Sequence, residues 1–217
     1  MDIQEKHFTV KRTTRYSTLG QPTSSLKQVW YLFHGYGQLA SDIINLCTPL
    51  DEGSRFFIAP EGLSKFYISG SSGRVGASWM TREDRFNEIA DYLNYLNELE
   101  GHISLKLPTV NFSTVLLGFS QGVATVCRWL ENLSVRADRL ILWAGTMPPE
   151  IDLWRIKAHY PSLEVFLVAG TQDRFVKSEN IQEAEDRLER AELNYRKIRF
   201  DGKHELHLPT LQKLADF

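Results

Sequence analysis

Short apolar segments alternate with longer amphipathic segments along the chain, and this alternation constrains the fold more than any other feature. Most of the apolar segments are nearly continuous in apolar residues, as expected of parallel strands covered by helices on both faces. We predict strands at residues 28–33, 55–60, 113–119, 139–145, 163–170 and 195–200. We predict helices at residues 39–47, 81–100, 122–133, 179–193 and 208–217. Such alternation predicts an α/β fold with a mostly parallel central sheet and helices on both faces.

The segments outside these strands and helices predict a hairpin and a loop. Residues 7–20 (HFTVKRTTRYSTLG) predict an antiparallel hairpin at the N-terminus, and residues 61–79, rich in glycine and serine, predict an irregular loop at the rim of the site. The long helix is expected to begin with Thr81 as its N-cap. Because no linker, repeat or low-complexity stretch divides the chain, residues 1–217 are predicted to form a single domain without a large cap domain.

Composition and charge exclude several classes of partner. The formal net charge of −2 provides no basic field for a nucleic acid. No apolar run approaches the roughly 20 residues that span a bilayer, and the N-terminal segment lacks the apolar core of a signal peptide. Cys47 and Cys127 lie in apolar, helical segments and are expected to be buried thiols. These features predict a cytoplasmic protein with neither a nucleic-acid partner nor integral membrane association.

The segment LGFSQG, residues 117–122, places a serine between two glycines where a predicted strand turns into a predicted helix. In so tight a turn the middle residue is forced towards a positive φ, and side chains two positions before and after it would collide with backbone. Gly118 and Gly122 meet that requirement, and Ser120 would project its hydroxyl above the sheet. The arrangement indicates a nucleophile elbow, with an ordinary glycine turn as the alternative.

A serine hydroxyl needs a base to remove its proton and an acid to orient that base. In folds with this elbow, the acid and the histidine follow the serine in chain order. Asp173 comes directly after one predicted strand, and His204 lies in the loop after the next. Because the carboxyl ends of parallel strands meet at one edge of the sheet, we expect Ser120, Asp173 and His204 to lie together.

Two backbone N–H groups are needed to stabilise the negative oxygen of a tetrahedral intermediate. Gln121, directly after the serine, is expected to supply one. The segment WYLFHGYGQ, in which a strand runs into a glycine-rich turn, predicts Tyr36 as the source of the other. His34 in the same turn is expected to bond to backbone and hold the turn rather than act as the base.

The segments HGYG, GFSQG, GTQD and GKHE together resemble the α/β-hydrolase superfamily. More narrowly, the chain resembles the phospholipase/carboxylesterase family, which includes bacterial carboxylesterases and acyl-protein thioesterases. The resemblance covers most of the chain from residue 28 and includes IAPEG, ASWMTREDRFNEIADYL and WAGTMPP. It implies an α/β-hydrolase fold and hydrolysis of acyl esters or thioesters by Ser120, His204 and Asp173, without a metal or a cofactor. It also raises a homodimer as one form of assembly.

The chain departs from the family pattern at a few positions near these motifs. Val123 stands where the family usually has a small residue, and Lys203 stands before the histidine, where glycine is common. Met80 and Thr81 follow Trp79 in place of an aromatic–acidic pair. The wall of the site on the substrate side is therefore expected to differ from that of the family.

The substrate is left open by the sequence. Phe66, Tyr67, Trp79 and Met80 are candidates to line an apolar acyl pocket, or alternatively to pack within the fold. A small carboxylic ester is the first substrate class to consider. The alternative is a long acyl chain, as in acyl-protein thioesterases and lysophospholipases.

Two functions of other classes compete with hydrolysis by the serine. The run HELH at 204–207 suggests a metal site, but its histidines are one residue closer than the HExxH spacing of zinc peptidases. A binding protein that has lost catalysis on a hydrolase scaffold is the other. The glycine-rich run SGSSGRVG lacks the GK[ST] ending of a phosphate-binding loop, so it does not indicate a nucleotide site.

Overall fold

A computed structural model describes residues 2–217 of the chain. Its nine strands form one large sheet of seven strands and a separate hairpin of two. The strands of the large sheet are β1 Tyr16–Leu19, β2 Gln28–Phe33, β3 Arg55–Pro60, β6 Ser113–Phe119, β7 Arg139–Trp143, β8 Glu164–Gly170 and β9 Asn194–Phe200. The hairpin consists of β4 Ser64–Tyr67 and β5 Val75–Ser78.

The large sheet has the strand order β1-β3-β2-β6-β7-β8-β9, and every neighbouring pair is parallel except β1 with β3. From β2 the chain continues to β3 on one side of it and returns as β6 on the other. The carboxyl ends of β2 and β6 meet at this change of direction, where Phe33 lies opposite Gly118. In open α/β sheets, such a switch point is the usual place of a ligand site.

Helices cover both faces of the sheet, as the nearly continuous apolar strands predicted. Their bounds are α1 Ala40–Asn45, α2 Arg85–Ser104, α3 Gln121–Glu131, α4 Leu153–His159, α5 Ser178–Arg190 and α6 Leu208–Ala215. Apolar side chains of α1 and α6 pack in one core cluster, and those of α2 to α5 pack in a second cluster on the opposite face. Alternate strand residues supply both clusters, for example Trp30 to the first and Tyr31 to the second.

All six predicted strands are confirmed, and β2, β3 and β6 have the predicted bounds. The antiparallel strand pair expected near the N-terminus is present, but it joins β1 to β3, and residues 7–15 are irregular and mostly exposed. An isolated hairpin is only marginally stable in water, whereas pairing with β3 attaches β1 to a sheet that is already formed.

Three other local predictions differ from the structure. Residues 61–79 are not wholly irregular, because they contain the β4–β5 hairpin, and α4 was not predicted. The long helix begins at Arg85 rather than at Thr81, after Asp84 in the left-handed conformation (φ 48°). Thr81 does not cap it; both its N–H and its hydroxyl bond to the carboxylate of Glu88. Among the described residues, no helix has the length and apolar character needed to cross a bilayer.

Candidate active site

Ser120 lies at the turn between β6 and α3, with φ 54° and ψ −117°. This backbone conformation is strained for a residue with a side chain, and it is held by a 2.9 Å hydrogen bond from the Ser120 N–H to the carbonyl of Trp143. A Cβ on Gly118 would lie 2.5 Å from the carbonyl oxygen of Gly122, and a Cβ on Gly122 would lie 2.2 Å from that of Phe33. Both glycines are therefore required by the close approach of neighbouring backbone.

The structure brings the three predicted side chains into one chain of hydrogen bonds. His204 Nε2 lies 2.9 Å from Ser120 Oγ, and His204 Nδ1 lies 2.8 Å from Asp173 Oδ2. Because an ionised carboxylate only accepts hydrogen bonds, Nδ1 carries the proton of a neutral His204 and Nε2 presents its lone pair to the serine. This is the arrangement in which a hydroxyl can lose its proton to an imidazole.

The carboxylate of Asp173 is fixed by more than the histidine. Its Oδ1 accepts the backbone N–H groups of Phe175 at 2.8 Å and Val176 at 3.2 Å, and its side chain is 1% exposed. The side chain of His204 is 20% exposed, so the imidazole is the part of this pair that solvent and substrate can reach. One oxygen of Asp173 therefore holds its own loop while the other orients the imidazole of His204.

His34 is fully buried in the turn after β2 and bonds to backbone on both sides of its ring. Its Nδ1 donates to the carbonyl of Gly35 at 2.8 Å, and its Nε2 accepts the N–H of Gly62 at 3.0 Å. The ring stacks on Trp79 with 4.9 Å between the centroids. Burial lowers the pKa of His34, which favours this neutral form. These contacts confirm that His34 holds the turn.

The backbone N–H groups of Tyr36 and Gln121 are available as the two donors that an oxyanion site requires. Among the described residues, neither group donates a hydrogen bond to the protein. The turn that carries Tyr36 lies directly beside the serine, since a Cβ on Gly35 would be 3.1 Å from the Cβ of Ser120. Two unused donors thus lie on the two segments that adjoin the hydroxyl.

The four predicted pocket residues lie in different environments. Tyr67 is exposed, and Phe66 is half-buried with its ring 5.0 Å from the ring of Tyr36. Met80 is half-buried, with its sulfur 3.7 Å from Arg128 Nη1. Trp79 is 1% exposed and belongs to the core, so of the two alternatives it packs within the fold.

The contacts of its ring explain why Trp79 lies in the core. Its ring packs on Phe33 and Tyr92, and its Nε1–H donates to the carbonyl of His34 at 2.9 Å. A buried tryptophan with a partner for its N–H contributes a large apolar area at no polar cost. The residue therefore supports the turn that carries Tyr36 instead of lining a cleft.

Glu61 was not identified from the sequence, although its carboxylate links the segments that carry Arg15, Ala40 and Lys65. Its buried carboxylate contacts Arg15 Nε at 2.6 Å and Lys65 Nζ at 3.2 Å, and accepts the N–H of Ala40 at 3.2 Å. Burial by itself raises the pKa of Glu61, but these partners outweigh burial and hold it below its usual value. An acidic residue inside the IAPEG turn was the only available signal.

Phe175 is a second residue that sequence reasoning missed. Its side chain is 78% exposed, and its ring centroid lies 4.7 Å from that of His204. Phe119 contacts the same imidazole at 5.1 Å. A single aromatic in a polar loop carries no periodic signal, so only the folded chain shows that Phe175 adjoins His204.

The histidines of the HELH run have separate partners. His207 Nδ1 lies 2.9 Å from Thr210 Oγ1, and its ring stacks on Phe200. Elsewhere, Glu5, His7 and Asp84 each place one ligand-type atom within 4.8 Å of the others, and all three are exposed. The HELH run therefore contributes His204 to the site with Asp173 and Ser120, while His207 belongs to the start of α6.

Val123, the departure directly after GFSQG, lies buried in the elbow helix against Gly145. A Cβ on Gly145 would be 2.5 Å from Val123 Cγ2 and 2.4 Å from the carbonyl oxygen of Ser120. The larger residue is therefore accommodated by a glycine two positions beyond the end of β7.

Comparison with known families agrees with this arrangement of strands and motifs. A family model described as phospholipase/carboxylesterase matches residues 15–217, nearly the whole chain. The chain belongs to the phospholipase/carboxylesterase family. Among curated proteins, no sequence matches it.

Solved structures of the same fold include esterases and a thioesterase. The carboxylesterase of Bacillus cereus has a TM-score of 0.68 and 18% identity, covering 94% of this chain and 92% of its own. The carboxylesterase of Mesorhizobium loti has a TM-score of 0.69 and 15% identity, covering 93% of each chain. Acyl-protein thioesterase 2 of Zea mays has a TM-score of 0.67 and 15% identity, covering 94% of this chain and 97% of its own. At these identities the likeness shows the α/β-hydrolase fold alone.

Proposed function

We propose that this member of the phospholipase/carboxylesterase family hydrolyses carboxylic esters or thioesters through an acyl-enzyme on Ser120. The observation that carries the proposal is the unbroken hydrogen-bond chain from Asp173 through His204 to the Ser120 hydroxyl. It lies at the carboxyl edge of a parallel sheet and next to two unused N–H donors, the components that acyl transfer to serine requires.

In the first half of the reaction, Ser120 Oγ attacks the acyl carbonyl while His204 Nε2 takes the hydroxyl proton. The carbonyl π electrons move onto oxygen, and the N–H groups of Tyr36 and Gln121 stabilise that negative charge. Removing one such donor costs about 3–4 kcal/mol of transition-state stabilisation in serine hydrolases. Collapse of the intermediate expels the alkoxide or thiolate, which takes the proton from His204, and leaves the acyl group on Ser120.

In the second half, water attacks the acyl-enzyme with His204 as the base. The acid is released, and the proton returns to Ser120 Oγ. Asp173 remains ionised throughout, orients the imidazole and stabilises its charged form between the two proton transfers.

The acyl or leaving group is expected to contact the exposed aromatic residues beside the serine. Tyr36 is 61% exposed and pairs with Phe66, while Phe175 adjoins the base. Such a surface favours an apolar substituent over a charged one. Because the fold is shared with both carboxylesterases and an acyl-protein thioesterase, short and long acyl chains are both included in the test.

Cys47 and Cys127 are both buried free thiols in the folded chain. Burial raises the pKa of each thiol to about 12. Unreactive, unpaired thiols suit a reducing compartment, and we place the protein in the cytoplasm on this ground.

The test combines covalent labelling with a series of substrates. A fluorophosphonate probe is expected to label the wild type and not Ser120→Ala. Ser134→Ala, which removes an exposed hydroxyl beyond α3, serves as the matched control and is expected to label fully. Equal labelling of Ser120→Ala and the wild type would place the nucleophile elsewhere and end the proposal.

The substrate series uses p-nitrophenyl esters from acetyl to palmitoyl. Preference for short chains would identify a carboxylesterase with a shallow site, and preference for long chains would direct attention to lysophospholipids and acylated proteins. Absence of both labelling and hydrolysis in the wild type would favour a binding protein on a hydrolase scaffold.

A further inference from the structure

Strand β5 and the residues after it contact both segments that carry the candidate oxyanion donors. One donor, the Tyr36 N–H, lies in the turn after β2, and the other, the Gln121 N–H, lies at the first residue of α3. These segments are 85 positions apart in the numbering and belong to different elements. Residues 76–80, hereafter the positioning segment, bond to both of them.

The first contact is a backbone bridge to the turn that carries Tyr36. The Gly37 N–H donates to the carbonyl of Ala77 at 2.9 Å, and the Ala77 N–H donates to the carbonyl of Gln38 at 3.0 Å. Gly76 approaches so closely that a Cβ on it would lie 2.4 Å from the carbonyl oxygen of Gly37. The peptide that follows Tyr36 is therefore fixed against β5 by hydrogen bonds and by direct contact.

The second contact uses the side chain of Gln121. Its Oε1 accepts the Trp79 N–H at 3.1 Å, and its Nε2 donates to the carbonyl of Met80 at 2.8 Å. The amide thus pairs with the backbone of the positioning segment through both of its ends. Gln121, which carries the second candidate donor, is thus anchored by its own side chain to the two residues that follow β5.

The positioning segment is itself held in place. Trp79 is buried, and its Nε1–H bonds to the carbonyl of His34 at the start of the turn. Ala77 is 0% exposed. A short buried strand with fixed ends can set a distance between two groups more reliably than two independent loops can.

We propose that the positioning segment sets the separation and direction of the Tyr36 and Gln121 N–H groups, so that both converge on one oxyanion. This inference rests on the proposed function, since it concerns the same reaction. An oxyanion donor acts only within about 2.7–3.1 Å of the charged oxygen. Gly76 and the side chain of Gln121 are positioning residues, since they act through the backbone donors.

Two variants disturb the two contacts separately. Gly76→Ala requires the Gly37 carbonyl to move by about 1 Å, from 2.4 Å to the ordinary contact distance of 3.4 Å. Gln121→Met keeps the length and neutrality of the side chain and the backbone N–H, but removes every hydrogen bond of the side-chain amide to the positioning segment, those with Ser78 Oγ included. A misplacement of about 1 Å costs roughly 100-fold in rate, so we expect kcat to fall about 10- to 100-fold in each variant with little change in KM.

The matched control is Gly70→Ala at the tip of the same hairpin. Gly70 has φ 64°, and a Cβ there meets no atom within 4 Å, so the substitution strains the hairpin without touching the turn. We expect it to lower the melting temperature and to leave kcat within a factor of two. If the hairpin had a purely structural role, kcat would instead fall with the melting temperature by the same relation in all three variants.

The decisive readout is the affinity for phenylboronic acid, which forms a tetrahedral adduct with a serine and places an oxygen at the oxyanion position. All rates are divided by the fraction of sites that a fluorophosphonate titrates. In Gly76→Ala and Gln121→Met, the inhibition constant is expected to rise in proportion to the loss of kcat/KM. Wild-type kcat and inhibition constants in both variants would overturn the inference. If the wild type itself is not labelled at Ser120, the proposed function fails and the inference fails with it.

Discussion

Replacing Asp173 by asparagine tests the base most directly, because the structure determines how the amide must lie. Oδ1 of Asp173 accepts two backbone N–H groups, from Phe175 and Val176. An asparagine can keep those bonds only with its oxygen at that position, which points its NH2 group at Nδ1 of His204. Nδ1 must then accept, the proton moves to Nε2, and Ser120 faces a donor instead of a base.

The expected loss is large and specific to the chemical step. The same substitution of the orienting acid lowers kcat about 10⁴-fold in serine proteases, which corresponds to about 5 kcal/mol at 1.36 kcal/mol per tenfold change. We expect a loss of that order for Asp173→Asn in initial rates on the best p-nitrophenyl ester. Because both backbone bonds survive, the melting temperature should change little.

The control for Asp173→Asn is Asp201→Asn. Asp201 is an exposed carboxylate in the loop before His204, and it accepts Gln172 Nε2 at 2.8 Å. Its substitution removes the same charge near the site, so it is expected to keep the wild-type rate within a few fold. If Asp173→Asn retains more than a tenth of the wild-type kcat, the assignment of Asp173 as the orienting acid is refuted.

Three further substitutions probe the supports of the site. Gly122→Ala forces a Cβ to within 2.2 Å of the Phe33 carbonyl oxygen, and urea denaturation should show a loss of about 1–3 kcal/mol. Gly101→Ala, inside α2 with open space around it, should instead gain about 0.5–1 kcal/mol. Burial lowers the pKa of His34, so as the pH falls the unfolded chain takes up a proton before the folded chain does. The free energy of unfolding should therefore fall below about pH 6.5, by at most about 1.4 kcal/mol per pH unit. Urea midpoints at pH 7.5 and 5.5 should differ less in His34→Gln than in the wild type, and an equal difference in the two proteins would contradict this account. The pKa of Glu61 is lowered in the folded chain, so its stabilisation is complete above its unfolded pKa of about 4.3 and is lost as the pH falls through the folded pKa. Glu61→Gln should therefore lower the urea midpoint at pH 7, and its gap from the wild type should narrow as the pH falls below about 4.3. A gap that stays constant would refute this.

The strands and the order of the candidate catalytic residues could be predicted from the sequence because their signals are local. An apolar run such as residues 28–33 indicates a strand wherever the chain later goes, since a buried strand needs apolar residues on both faces. The elbow at Ser120 is equally local, because its steric requirement involves glycines two positions away. The edge of the sheet shared by Asp173 and His204 then follows from the parallel topology.

Other features depended on contacts between distant parts of the chain. The aromatic residues of 61–79 gave no indication of which side chain faces solvent, and only the packing of Trp79 against Phe33 and Tyr92 decided that it is core. Thr81 has the chemistry of an N-cap, but its N–H and hydroxyl donate to the carboxylate of Glu88. The helix starts at Arg85, after Asp84 in the left-handed conformation.

The sequence by itself determined the strand positions, the glycines of the elbow, and the choice of a serine, a histidine and an aspartate, because each follows from residues adjacent in the chain. Only the tertiary structure shows that the side chain of Gln121 anchors its residue, that Glu61 links three segments, and that β5 holds the turn that carries Tyr36. Those assignments depend on hydrogen bonds between residues 21 to 46 positions apart. Pairings at such separations are set by the folding of the whole sheet, which no local pattern of residues encodes.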